Sequence, residues 1–126
     1  MNTMSEISNY RTAVFDGATG IGWLFQGWRA LRLYGRRAKA AMEAGDVITK
    51  VDMISRADRL LTVMSGIVDT GAGSNLGRSL QTIYSALRFC LFKANAEGDI
   101  EALNDYEKAL SQLDRDFSGD AKRIPA

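Results

Sequence analysis

At 126 residues, 46% hydrophobic and 25% charged, the chain has the composition of one folding domain and not of a disordered tail. A net charge of +1 excludes a strongly polyanionic or polycationic chain. The absence of histidine and a single cysteine, Cys90, exclude Ser-His-Asp and Cys-His nucleophile pairs, His-containing and thiolate metal sites, and any internal disulfide.

Residues 1–16 are polar with a sparse apolar series, Met4, Ile7, Tyr10 and Val14, at helical spacing. A segment this short and weakly patterned is not stable alone; it reads as an N-terminal arm that docks on a surface. Its opening Met-Asn-Thr-Met-Ser-Glu lacks the basic region and apolar core of a secretory signal. Asp16-Gly-Ala-Thr-Gly-Ile-Gly22 looks like a phosphate-cradling glycine loop, but its spacing is G-x-x-G-x-G and no βαβ context surrounds it. The better reading is a helix start at or near Thr19 among permissive glycines.

A first helix is expected from about Ile21 to Ala44, with Leu24, Trp28, Leu31, Gly35, Ala38 and Met42 on one face. Gly27 and Gly35 each cost such a helix about 1 kcal/mol relative to Ala, which close approach of a neighbouring helix can offset. Opposite runs a basic stripe, Arg29, Arg32, Arg36 and Lys39, with Arg37 beside it. Charge at helical spacing is what a solvated outer face carries; the same stripe could meet phosphates or an acidic partner. The most apolar stretch, Ile21 to Tyr34, is broken by Gln26, Arg29 and Arg32 and falls short of the ~20 apolar residues that span a bilayer.

Ala44-Gly45-Asp46 is a corner, with Gly45 suited to the left-handed turn and Asp46 to capping the next helix. Glu97-Gly98-Asp99 repeats the device, so two tight helical hairpins are expected. The second helix covers Val47 to about Val68. Val47, Val51, Ile54, Ala57, Leu61, Met64 and Val68 form its inward stripe, and Met53, Leu60, Val63 and Ile67 a second stripe beside it. Asp69-Thr-Gly-Ala-Gly-Ser-Asn75 is a loop, with Ser74 or Asn75 able to cap the third helix.

That third helix, Leu76 to Asn95, stacks Leu76, Leu80, Ile83, Tyr84, Leu87, Leu91 and Ala94, while Phe89, Cys90 and Phe92 fall off that line and widen the apolar surface. A helix apolar on more than one side is buried among several helices or takes a partner. The fourth helix, Ile100 to about Phe117, turns Leu103, Tyr106, Leu110, Leu113 and Phe117 inward and Glu101, Asp105, Glu107, Asp114 and Asp116 outward. No β-type alternation appears. The fold expected is all-α, an antiparallel up-down-up-down four-helix bundle in one domain: arm 1–16, bundle 17–117, flexible tail 118–126.

The third helix also resembles that of the flagellin-specific secretion chaperones of the FliS type. That family reads approximately Asn-Leu-x-x-Leu-Tyr-x-Tyr-Met-x-x-Arg-Leu-x-x-Ala-Asn, then a corner and an Asp-started last helix. Leu80, Ile83, Tyr84, Leu87, Leu91, Ala94 and Asn95 fall in register and Asp99 comes after them, with Ala86 at the second Tyr and Cys90 at the Arg. Gly45-Asp46, Arg56-Ala57, Leu60-Leu61 and Asp69 resemble the family's second helix, Leu24-Phe-Gln-Gly27 or Gly27-Trp-Arg-Ala30 a block of its first, and Asn9-Tyr10 its arm; the likeness spans residues 9–117.

The resemblance implies a cytoplasmic, non-enzymatic export chaperone that binds the C-terminal amphipathic segment of flagellin, prevents premature polymerisation and delivers it to the export apparatus. The implied partners are that segment and an export-gate component; no cofactor, nucleic acid or membrane insertion is expected. A client helix in an apolar groove uses anchors at i, i+3, i+4 and i+7 and needs no catalytic group. The candidate partner-binding residues are Ile7, Tyr10 and Val14 on the arm, Met53, Leu60, Val63 and Ile67 on the second helix, and Phe89 and Phe92 on the third. A homodimer is the other way to bury the same face. From a different class, the chain could be a small helical regulator or adaptor that binds an acidic protein or nucleic acid through Arg29, Arg32, Arg36 and Lys39. An enzyme would have to rest on Asp99, Glu101 and Asp105, which read better as a solvated face.

Overall fold

The computed structural model describes residues 18–68 and 75–123. Four helices succeed one another along the chain: α1 Ala18–Ala44, α2 Val47–Ile67, α3 Asn75–Glu97 and α4 Ile100–Arg123. Each packs against its two neighbours, α1 on α2, α2 on α3, α3 on α4 and α4 back on α1. The result is the all-α four-helix bundle that the periodicity requires. No helix among the described residues is long and apolar enough to cross a membrane.

The two corners form as their residues dictate. Gly45 at φ 73° and Gly98 at φ 65° take the left-handed conformation that side chains disfavour. At the first, the Gly45 amide bonds the Met42 carbonyl at 3.2 Å and the Asp46 amide the Ala41 carbonyl at 2.8 Å, the paired closure of a Schellman turn. Asp46 then caps α2, its carboxylate accepting from the Thr49 amide at 3.1 Å and the Thr49 hydroxyl at 2.6 Å. Both bonds hold the Asp46 carboxyl below its ordinary range. Asp99 caps α4 in the same way, accepting from the Ala102 amide at 3.2 Å.

The interior is built from large side chains on all four helices: Trp28 and Leu31, Leu61 and Met64, Tyr84, Leu87 and Leu91, Tyr106 and Leu110 are fully buried. Three side-chain polar atoms inside it are matched. The Trp28 indole Nε1 donates to the Tyr84 hydroxyl at 3.1 Å, and the Tyr106 hydroxyl donates to the Leu31 carbonyl at 2.7 Å. Phe25 and Phe117 meet Trp28 edge-on, with ring centroids 5.5 and 5.0 Å apart.

Two expectations change. The helix over 118–123 replaces the flexible tail expected there, since α4 runs to Arg123; a lone Gly119 does not stop a helix, and the first residue to forbid one is Pro125. The helix start expected at or near Thr19 is met, α1 beginning at Ala18 with Gly20 and Gly22 inside it. Arg32 is turned into the α1–α4 seam, where it donates to Glu107 at 2.9 Å and to Asp114 at 3.3 Å, while Arg36 stays exposed at the seam's outer edge and donates to Glu107 at 3.2 Å. Half the basic stripe and two carboxylates of α4 thus meet across the α1–α4 seam. The arm, with Ile7, Tyr10 and Val14, lies outside the described residues, as do residues 69–74 and 124–126.

Candidate functional site

Between α2 and α3 opens a groove of about 570 Å³. Ile54, Ser55 and Asp58 line one bank; Ser85, Arg88, Phe89, Leu91, Phe92 and Asn95 line the other. Three bridges set the register of the banks. The Lys50 ammonium donates to the Asn95 carbonyl at 3.4 Å, Arg88 Nε donates to Asp58 Oδ1 at 2.9 Å, and the Gln81 amide donates to the carbonyls of Ser65 and Val68 at 2.6 and 2.9 Å. Residue numbers rise along one bank as they fall along the other, so the helices are antiparallel. Gln81 satisfies two carbonyls that the end of α2 leaves without intrahelical donors.

Phe89 and Phe92 lie on adjacent turns of α3 and are 62% and 61% exposed. The Lys93 ammonium stands 5.8 Å from the centre of the Phe89 ring. On α2, Val51 and Ile48 stand four and seven residues before Ser55, on the same side of the helix and beyond the end of the groove; Val51 is 42% exposed and Ile48 84%. Val47 and Val51 belong by spacing to the inward stripe of α2, yet both are exposed. Each four-residue step advances about 40° around a helix, which carries that end of the stripe out of the core, Val47 lining a separate hollow beside the two glycine corners. Sequence reasoning misses Ile48 and Val51 as apolar surface beyond the end of the groove when it takes one stripe as core and its neighbour as surface; their signal is an apolar i, i+3 pair beside a capping Asp.

The candidates named from sequence separate. Phe89 and Phe92 lie on the groove. Met53 is 8% exposed and belongs to the core, because its flank of α2 is the one α1 covers, as the proximity of Met64 to Gly27 shows. Its part in an exposed apolar stripe is therefore withdrawn. Leu60 packs partly buried against the core, Ile67 is half-buried and Val63 exposed. Leu60 lies five residues from Ser55 and Ile67 nine from Asp58, about 140° and 180° around the helix, so these side chains stand on the far flank from the groove. Ile7, Tyr10 and Val14 cannot be placed among the described residues.

The groove is lined by two phenylalanine rings, two serine hydroxyls and the Arg88–Asp58 ion pair. No group of three His, Cys, Asp or Glu among the described residues is disposed to hold a metal. Cys90 is half-buried, and burial, together with the charges of Asp105 and Asp99, pushes its thiol up against the smaller pull of Lys93; a thiol held protonated is a poor nucleophile. Tyr84 and Tyr106 are pushed up chiefly by burial and stay neutral. Partial burial raises Glu107, but hydrogen bonds from Arg32 and Arg36, the Arg32 charge and the Ser111 hydroxyl outweigh it and leave that carboxyl below its ordinary value.

In comparisons with known proteins, the sequence model of a family described as flagellar protein FliS matches residues 27–122. The match runs from within α1 to the last turn of α4 and takes in both banks of the groove. No curated protein matches the chain.

Proposed function

The chain belongs to the flagellar protein FliS family, a family of flagellar chaperones, and from that premise we propose that it is the cytoplasmic export chaperone of a flagellin. In this reading it binds the C-terminal amphipathic segment of flagellin, keeps that segment from polymerising prematurely and hands it to the export apparatus, without catalysing a reaction. The observation that carries the proposal is the pair of phenylalanines on the α2–α3 groove, more than 60% exposed on a bundle whose other large aromatics, among the described residues, are buried or half-buried. Isolated exposed apolar residues are ordinary; a row of them beside an open seam marks a docking surface.

The client's apolar side would lie along α3, with Phe89 and Phe92 against it and Val51 and Ile48 extending the apolar surface beyond the end of the groove. A segment disordered until bound loses conformational entropy on docking, and a long apolar groove supplies more contact area to offset that loss than a small pocket would. Residues 1–16, the arm, would compete for the same surface as a displaceable cover. Isothermal titration calorimetry of the full chain against the C-terminal segment of the flagellin from the same cell tests the proposal. Saturable binding at micromolar concentration or tighter supports it. Absence of heat and of a complex on gel filtration overturns it, and a concentration-dependent dimer that buries Phe89 and Phe92 would put a second copy in the client's place.

A further inference from the structure

The ion pair across the groove is made by a donor that has capacity to spare. Arg88 gives its Nε to Asp58 Oδ1 at 2.9 Å, with both side chains about half exposed. A guanidinium carries five N–H donors in a planar fork. Elsewhere in this molecule the same group does more: Arg32 gives Nε to Glu107 at 2.9 Å and Nη1 to Asp114 at 3.3 Å, one guanidinium holding two carboxylates. Arg88 shows the first half of that arrangement, and among the described residues no second carboxylate is bonded to it.

The surroundings suit a second, incoming carboxylate. Ser55 and Ser85 line the groove beside the pair, so a charged group arriving there meets hydroxyls and not only aromatic rings. Arg88 and Phe92 are four residues apart on α3, and Ser85 and Phe92 seven, which puts them along one side of that helix. A segment lying along α3 therefore passes an apolar anchor and, one turn on, a guanidinium.

We propose that Arg88 is a specificity residue that grips an aspartate or glutamate of the client segment one helical turn from the apolar anchor seated on Phe92. The inference rests on the groove being the client site. Asp58 acts through Arg88 as a positioning residue, holding Nε and leaving the Nη edges for the client. The groove then selects among amphipathic helices: a lysine at that place meets like charge, and an apolar residue leaves the fork unanswered.

The test is calorimetry of the full chain with the flagellin C-terminal segment at low and moderate salt, comparing the native protein with Arg88→Gln and Asp58→Asn. Arg88→Gln is expected to weaken binding about tenfold to a hundredfold and to flatten its salt dependence. Asp58→Asn keeps an oxygen that can accept from Arg88 Nε but loses the charge that holds it, and is expected to weaken binding less than Arg88→Gln does while keeping the salt dependence. Equal losses of affinity and of melting temperature in both variants would make the pair a mere strut between α2 and α3 and overturn the proposal. Unchanged affinity in Arg88→Gln would overturn it while leaving the chaperone reading intact, whereas no binding by the native chain would remove both. In a second measurement, Arg88→Glu should regain affinity toward a segment in which one acidic residue has been changed to lysine; failure of every such exchange overturns the proposal.

Discussion

Replacing Gly35 with alanine sets a gain in helix propensity against a clash, and the geometry decides between them. A Cβ at Gly35 would stand 2.6 Å from Cε1 and 2.9 Å from Cδ1 of Tyr106, well inside the roughly 3.5–4.0 Å of a comfortable carbon contact. The ring has no room to yield, being fully buried with its hydroxyl tied to the Leu31 carbonyl at 2.7 Å. Alanine contributes about 1 kcal/mol in favour of the helix. Overpacking costs about 1–3 kcal/mol, and a displaced hydroxyl that loses its acceptor costs about 1–3 kcal/mol more. The net is a loss of about 1–5 kcal/mol, which in a domain of this size lowers Tm by at least about 3 °C. Gly66→Ala is the control: its Cβ meets nothing within 4 Å, so it should stabilise by about 0.5–1 kcal/mol. Gly27→Ala falls between, since its Cβ would meet the flexible end of Met64 at 2.5 Å, which can rotate away. Thermal melts followed by circular dichroism should therefore rank Gly66→Ala above Gly27→Ala above Gly35→Ala. A Gly35→Ala protein as stable as the Gly66→Ala one would refute the close approach of α1 and α4.

Tyr84→Phe leaves the buried Trp28 indole N–H without its acceptor and should cost about 1–3 kcal/mol in urea unfolding; an unchanged midpoint would count against that bond. The double change Phe89→Ser/Phe92→Ser removes exposed rings only, so stability should stay within about 1 kcal/mol while binding of the flagellin segment weakens by on the order of 2–4 kcal/mol. Glu107, whose carboxyl is held below its ordinary value of 4.5, contributes stability that is fully present above that value and is lost as pH falls through its folded pKa. The difference in urea midpoint between the native chain and Glu107→Gln should accordingly be constant near neutral pH and shrink below 4.5; a constant difference down to pH 3, about one and a half units lower, would contradict the Arg32–Glu107–Arg36 linkage.

The helices and corners were legible in the sequence because their causes are local. Glycine followed by aspartate at 45–46 and 98–99 specifies a left-handed stop and a cap within three residues, and the structure closes both corners through those atoms. The site was only half legible. Phe89 and Phe92 stand off the main stripe of α3 whatever packs on it, so their exposure followed from spacing. Met53 and Val51 were sorted the wrong way round, Val51 into the inward stripe and Met53 into the one beside it; only the side on which α1 lies makes Met53 core and leaves Val51 exposed. The pairs Arg32–Glu107 and Asp58–Arg88 were hidden for the same reason, each joining residues on different helices whose relative rotation no single periodicity contains.

Chemical-shift mapping of the full chain on titration with the flagellin segment shows whether the α2–α3 groove receives it. The largest shifts are expected on Ile48, Val51, Ser85, Arg88, Phe89 and Phe92, with Leu60 and Ile67 little moved. Shifts gathered instead around Leu60, Val63 and Ile67, with Phe89 and Phe92 still, would contradict docking in the groove.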